Sequence, residues 1–78
     1  MITESPFPHS LVRTLAQNIA TDMRAISNEI ADTPNPIARD ELLSQLMLFQ
    51  GSLSLLHLAT IREDRFVLQR AIELLQSH

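Results

Sequence analysis

Apolar residues recur along the first part of this chain at the three- and four-residue intervals of an α-helix. They form a single apolar stripe, and charged and amide side chains occupy the opposite face. The stripe consists of Val12, Leu15, Ile19, Met23, Ile26 and Ile30. The pattern predicts a first helix that starts between Pro8 and Ser10, where a proline in the first turn is tolerated, and that buries one face.

The segment Thr33-Pro34-Asn35-Pro36 interrupts this pattern, because two prolines separated by one residue cannot continue a helix. Asn35 followed by Pro36 is also a start signal, since an asparagine side chain caps a helix and proline fits its first position. Asp40 and Glu41 then lie near the positive end of the helix dipole. We expect a second helix to begin here and to run antiparallel to the first.

The stretch from Leu42 to Ile61 carries no formal charge and dominates the second helix. One heptad-like row in it consists of Leu42, Leu46, Phe49, Leu53 and Leu56. A second row, about 200° away around the helix, includes Leu48, Leu55 and Ala59, with the small Gly51 and Ser52 between them. A helix with two apolar faces is typical of the central element of a bundle, of a membrane span or of a helix shared between subunits.

The last part of the chain shows a further helical row formed by Ile61, Leu68, Ile72 and Leu75. Thr60 followed three residues later by Glu63 fits a capping box, so a third helix could begin at Thr60. The charged residues 62–65 favour a corner there, because they are costly to bury. The sequence therefore predicts an all-α, antiparallel bundle of three helices; the alternative is a hairpin whose single long second helix is completed by a partner.

Length and composition fit one small helical domain spanning residues 1–78, with residues 1–8 as a flexible arm because Pro6 and Pro8 favour extended backbone. The net charge of -3 and the pI near 5.4 argue against nucleic-acid binding. The chain contains no cysteine, and its first ten residues lack the basic region of a signal peptide. We therefore expect a cytoplasmic protein.

Candidate catalytic chemistry is sparse. His9, His57 and His78 share no metal-ligand spacing, and the serines occur in no nucleophile motif. A single glycine excludes a glycine-rich phosphate loop. We expect no enzyme activity, metal or cofactor; His57 is either a partly exposed helix residue or a pH-sensitive contact.

The uncharged stretch has the length of a membrane span. It also contains serine, glutamine, histidine and threonine side chains, which need internal partners in hydrocarbon, and no tryptophan or tyrosine flanks it. Membrane insertion is therefore disfavoured. We expect instead a protein partner or a homo-oligomer, bound through the second face of helix two and the final helix. The candidate partner-binding residues are Leu48, Gly51, Ser52, Leu55, Ala59, Leu68, Ile72 and Leu75.

The layout of a helix, the break Thr33-Pro34-Asn35-Pro36 and a longer helix that begins with Leu42, Leu43 and Gln45 resembles the small helical hairpins of bacterial type III secretion. These are needle subunits and the co-chaperones that keep needle subunits soluble. The resemblance covers residues 23–75, and no functional residue is carried over from it. It implies an adaptor or small chaperone for a helical partner, or alternatively a structural subunit of a helical assembly.

Overall fold

The chain forms three α-helices in the computed structural model, which describes residues 7–76. Helix α1 spans His9–Asp32, α2 spans Pro36–Arg62 and α3 spans Arg65–Gln76. The predicted all-α bundle of three helices is confirmed. Most of the predicted flexible arm, residues 1–6, lies outside the described residues. Phe7, which the sequence assigns to that arm, is instead buried in the core.

Helix α1 buries the predicted apolar stripe. Val12, Ile19 and Ile26 are buried, and the remaining members of the stripe are partly buried. The helix begins at His9, as the position of Pro8 predicts. It ends where Thr33 adopts an extended conformation and donates its backbone N–H to the Ile30 carbonyl. The sequence pattern thus located both ends of this helix and the face that it buries.

Asn35 starts helix α2 in the predicted manner. Its side-chain oxygen Oδ1 accepts hydrogen bonds from the backbone N–H groups of Ile37, at 2.9 Å, and Ala38, at 3.4 Å. Pro36 occupies the first helical position. The cap satisfies two backbone donors that have no partner within the helix.

The corner between α2 and α3 lies three residues after the position that the capping-box pattern indicates. Thr60 is inside α2, where its hydroxyl donates to the Leu56 carbonyl at 2.8 Å. Helix α2 ends instead at Arg62, and the following C-cap residue, Glu63, is left-handed with φ of 51°. The backbone N–H groups of Glu63 and Asp64 both donate to the Ala59 carbonyl, and the Asp64 side chain then caps α3 through the N–H of Phe66. The corner predicted at residues 62–65 is confirmed, but the prediction that the third helix begins at Thr60 is wrong, because α3 begins at Arg65.

Helices α1 and α3 both pack on α2 and lie antiparallel to it. The three helices contain 24, 27 and 12 residues, so α3 is much the shortest. Antiparallel packing places the last turn of α3 beside the middle of α2. The bundle therefore has three helices at one end and two at the other.

The bundle thus has two ends. The three-helix end comprises residues 7–23 and 49–76, and the two-helix end comprises residues 24–48. The three-helix end contains a continuous buried cluster formed by Phe7, Val12, Ile19, Leu56, Ala59, Leu68 and Ala71. Within residues 24–48, all of which the structure describes, Ile26 is the one buried side chain. The core therefore sits almost entirely at the three-helix end.

Candidate protein-interaction surface

The residues predicted to bind a partner lie mostly between α2 and α3 of the same chain. Ser52, Ala59 and Leu68 are buried, and Gly51, Leu55, Ile72 and Leu75 are partly buried. Leu48 is also partly buried, but it lies outside the core cluster. The chain's own third helix thus covers the second apolar face of α2, so a partner could reach the buried residues only by displacing α3.

The small residues Gly51 and Ser52 in the middle of α2 allow another helix to approach closely, and the helix that does so is α3. A Cβ atom placed on Gly51 would lie 3.3 Å from Leu74 Cδ2. Beside it, the fully buried Ser52 hydroxyl donates to the Ala71 carbonyl at 2.9 Å. This hydrogen bond satisfies a polar group that would otherwise be costly to bury.

Helix α2 carries a third row of apolar side chains that no element of residues 7–76 covers. Met47 is 71% exposed and Ile61 is 68% exposed, and Leu43 and Leu58 are also exposed. At about 100° per residue, these four positions cluster roughly 120° from both the face that meets α1 and the face that meets α3. Those two faces are therefore about 120° apart, and the predicted separation of about 200° is wrong. We call Leu43, Met47, Leu58 and Ile61, together with Gln50 and Ser54 between them, the open row.

The open row is apolar toward both ends and polar in the middle. Exposed Gln50 and Ser54 occupy its centre, and charged residues occur only beyond its apolar members. Asp40 lies before Leu43, and Arg62 lies after Ile61. A patch with this arrangement on the surface of a monomer is typical of a protein-interaction site.

The two rows predicted from the sequence of α2 do not include the open row, although the sequence contains its signal. Leu43, Met47 and Leu58 belong to neither predicted row. Ile61 was grouped with the row of the last helix, which is wrong, because Ile61 lies in the last turn of α2 and is exposed. The spacing from Leu43 to Met47 and from Leu58 to Ile61 is helical, and it would have revealed a third face.

A shallow groove of about 570 Å³ runs between α1 and α2 next to the open row. Its floor is apolar, with Val12 and Leu56, and its rim carries Arg13 and His57. His57 is exposed, as one of the two interpretations of the sequence predicts. Across the end of the groove, His9 Nε2 lies 2.9 Å from Glu63 Oε1, which links the start of α1 to the end of α2.

Neither the groove nor the rest of residues 7–76 brings together three or more histidine, cysteine or acidic side chains that could hold a metal ion. At the end of the groove, the contact between His9 and Glu63 is exposed to solvent. This surface therefore offers hydrogen bonding, apolar contact and, at its edges, charged side chains.

One helix of the described part of the chain, α2, is long and apolar enough to span a membrane by length and composition. Only 17% of its most apolar 18-residue window is buried inside the molecule. Central helices of helical bundles meet the same length and composition criterion, but they are usually more buried. The low burial of α2 reflects the same uncovered surface that forms the open row.

Comparison of the chain with protein-family models, with curated proteins and with solved structures finds no match.

Proposed function

We propose that this protein is a non-enzymatic helical interaction module that binds another helix through the open row of α2. The observation that carries the proposal is the uncharged, exposed row along a helix whose other two faces are already packed. Solvent-exposed apolar side chains that lie singly need no explanation, but a row at helical spacing presents several apolar side chains to a second helix on one face. The open row thus replaces the second face of α2 as the candidate contact.

The number of apolar side chains in the open row limits the affinity that we expect for a complex. Burying Met47 and Ile61 contributes roughly 3–6 kcal/mol, from about 1.5–3 kcal/mol for each side chain. Association costs about 4 kcal/mol or more in lost translational and rotational freedom. The row therefore supports a weak and reversible complex unless a partner also uses the neighbouring groove.

Site-specific photo-cross-linking tests the proposal in the source cells. A photoreactive amino acid at Met47 should yield a covalent adduct with a protein, because this side chain would lie inside the complex. The matched control is the same amino acid at Gln69, an exposed position on α3 away from the open row. Adducts of equal yield at both positions, or none at Met47, would contradict the proposal.

Two narrower forms of the proposal follow from the resemblance to type III secretion proteins. A co-chaperone would form a soluble complex of fixed stoichiometry with a helical subunit and would shield that subunit's apolar face. A needle-type structural subunit would instead polymerise when concentrated. Electron microscopy of concentrated protein separates them, since only the structural subunit forms filaments by itself.

A second candidate function is association with a lipid bilayer through α2, which the low burial of this apolar helix favours. The polar centre of the open row, Gln50 and Ser54, opposes deep insertion because these groups would lack water. Co-sedimentation with neutral phospholipid vesicles tests this alternative. Met47→Glu should abolish any binding to vesicles if the open row inserts.

A further inference from the structure

We propose that the helix bound by the open row is α2 of a second copy of this chain, running antiparallel to the first. This inference rests on the proposed function and specifies its partner. Helices α1 and α3 occupy two sides of α2, and the open row occupies the third. A second α2 can therefore approach without displacing either neighbour.

The apolar members of the open row match one another when the row is reversed. A two-fold axis at the level of Ser52 places Leu43 of one copy beside Ile61 of the other. The same axis places Met47 within about one residue, or 1.5 Å, of the level of Leu58. Because a two-fold axis repeats each contact, the four apolar side chains of one copy meet the four of the other.

The polar members match in the same register. Gln50 of one copy lies at the level of Ser54 of the other, so the amide can donate to the hydroxyl oxygen. At the ends, Asp40 lies within about two residues, or 3 Å, of the level of Arg62. Both side chains point to the same side of the row, so each end of the pair joins a carboxylate to a guanidinium.

A parallel pair also brings apolar side chains together, because each member of the row then meets its own copy, but it lacks the pairing of opposite charges at the ends. It would place Asp40 beside Asp40 and Arg62 beside Arg62, and like charges at the rim oppose association. It would also align the dipoles of the two α2 helices, whereas the antiparallel pair opposes them. The pairing of Asp40 with Arg62 and the opposed dipoles therefore favour the antiparallel orientation.

The predicted contact is one helix pair about 33 Å long, from Asp40 to Arg62. Helices α1 and α3 lie on the far sides of α2 and add little to it. Such a contact falls below the standard interface of about 800 Å² per partner. We therefore expect a reversible dimer with a dissociation constant in the micromolar range.

Sedimentation equilibrium from low micromolar to near-millimolar concentration tests the dimer. The wild-type protein should pass from monomer to dimer in this range, and Met47→Glu should weaken the dimer at least tenfold by placing a charge against Leu58. The control is Phe66→Glu, which removes an apolar side chain that is 86% exposed but lies on α3, outside the row. A monomer at every concentration, or equal weakening by both variants, overturns the proposal.

Cysteine cross-linking tests the orientation, because the chain has no native cysteine. A mixture of Leu43→Cys and Ile61→Cys should give a disulfide-linked heterodimer, whereas either variant alone should not cross-link. In the antiparallel dimer the two copies of position 43 lie about 27 Å apart, too far for a disulfide. Efficient cross-linking of Leu43→Cys with itself would overturn the antiparallel arrangement.

Charge reversal tests the register at the ends of the row. Asp40→Arg and Arg62→Asp should each weaken the dimer about two- to fivefold, as expected for exposed ion pairs. The double variant should restore wild-type affinity, because the guanidinium then at position 40 of each copy pairs with the carboxylate at position 62 of the other. Additive weakening in the double variant would contradict the register.

Failure of the dimer and failure of the proposed function give different results. A purified monomer whose position 47 cross-links to a different protein in cells overturns the second copy and supports the interaction module. A monomer with no adduct at position 47 overturns both. An adduct of twice the chain mass at position 47, absent at Gln69, supports both.

Discussion

The two ends of the bundle are built from similar apolar patterns but reach very different degrees of burial. At the three-helix end, α3 covers the second face of α2, and Leu56 is only 1% exposed. At the two-helix end, Leu42 and Leu46 continue the same row of α2 but remain partly exposed. The difference shows that two helices alone cannot close a core, whereas a twelve-residue third helix is enough to do so.

The largest predicted effect comes from replacing a leucine with alanine in the row of α2 that runs from Leu42 to Leu56, once at each end of the bundle. Leu56→Ala should lower the free energy of unfolding by about 2–5 kcal/mol, because it leaves a cavity in the core. Leu46→Ala is the matched variant at the two-helix end and should cost roughly 1 kcal/mol, since water reaches this side chain already. Urea denaturation followed by circular dichroism measures both, and equal losses would contradict the division into two ends.

Disrupting the close contact between α2 and α3 should loosen the packing of α3, so that the three-helix end becomes less buried and more like the two-helix end. Gly51→Leu should cost about 1–3 kcal/mol, because its side chain must displace Leu74. Hydrogen exchange should then show faster exchange throughout α3.

The matched control is Gly51→Ala. The alanine gains about 1 kcal/mol of helix propensity, and its Cβ requires only a small shift of the flexible end of Leu74. We expect a stability close to that of the wild-type protein. A loss as large as that of the leucine variant would show that the contact at Gly51 cannot relax.

The two-helix end contains the Asn35 cap of α2. Asn35→Ala should lower stability by about 1 kcal/mol, because the N–H groups of Ile37 and Ala38 lose their shared acceptor. Asn28→Ala, on the exposed face of α1, is the control and should leave stability unchanged or slightly raised. Thermal unfolding of the two variants provides the comparison, and a larger loss for Asn28→Ala would refute it.

The smallest predicted effect concerns the corner that allows α3 to fold back. Glu63→Gly should relieve the left-handed backbone but lose the exposed pair with His9, so its net gain should stay below about 1 kcal/mol. Glu63→Ala also loses the pair but keeps a Cβ atom. Glycine should therefore exceed alanine by about 1 kcal/mol in denaturant unfolding, and identical stabilities would exclude strain at this residue.

Local signals in the sequence located several structural features correctly. Proline at positions 34 and 36 and the Asn35 cap act through backbone geometry and nearby hydrogen bonds, so they operate whatever packs around them. The charged residues 62–65 predicted the corner where it lies, but the capping-box pattern predicted that α3 begins at Thr60, whereas it begins at Arg65. Thr60 and Glu63 fit a capping box equally well inside a continuous helix, and only the left-handed backbone at Glu63 decides where α2 ends.

The candidate contact residues could not be assigned from the sequence alone. Ser52 and Leu68 are small or apolar, as residues are both in a core and at an interface. Periodicity reveals which residues lie on one face of a helix, but it does not reveal what covers that face. The face around Gly51 is covered because α3 folds back at Glu63. The row with Met47 and Ile61 stays open because residues 7–76 provide no third neighbour for α2.

The sequence by itself determined the all-α class, the α1–α2 hairpin and the apolar faces of its helices, because periodicity, proline geometry and capping act over a few residues. Only the tertiary structure decided which faces of α2 are closed. That choice depends on the direction in which α3 leaves the corner at Glu63 and on the length of α2 that it reaches, and both are properties of packing between distant parts of the chain.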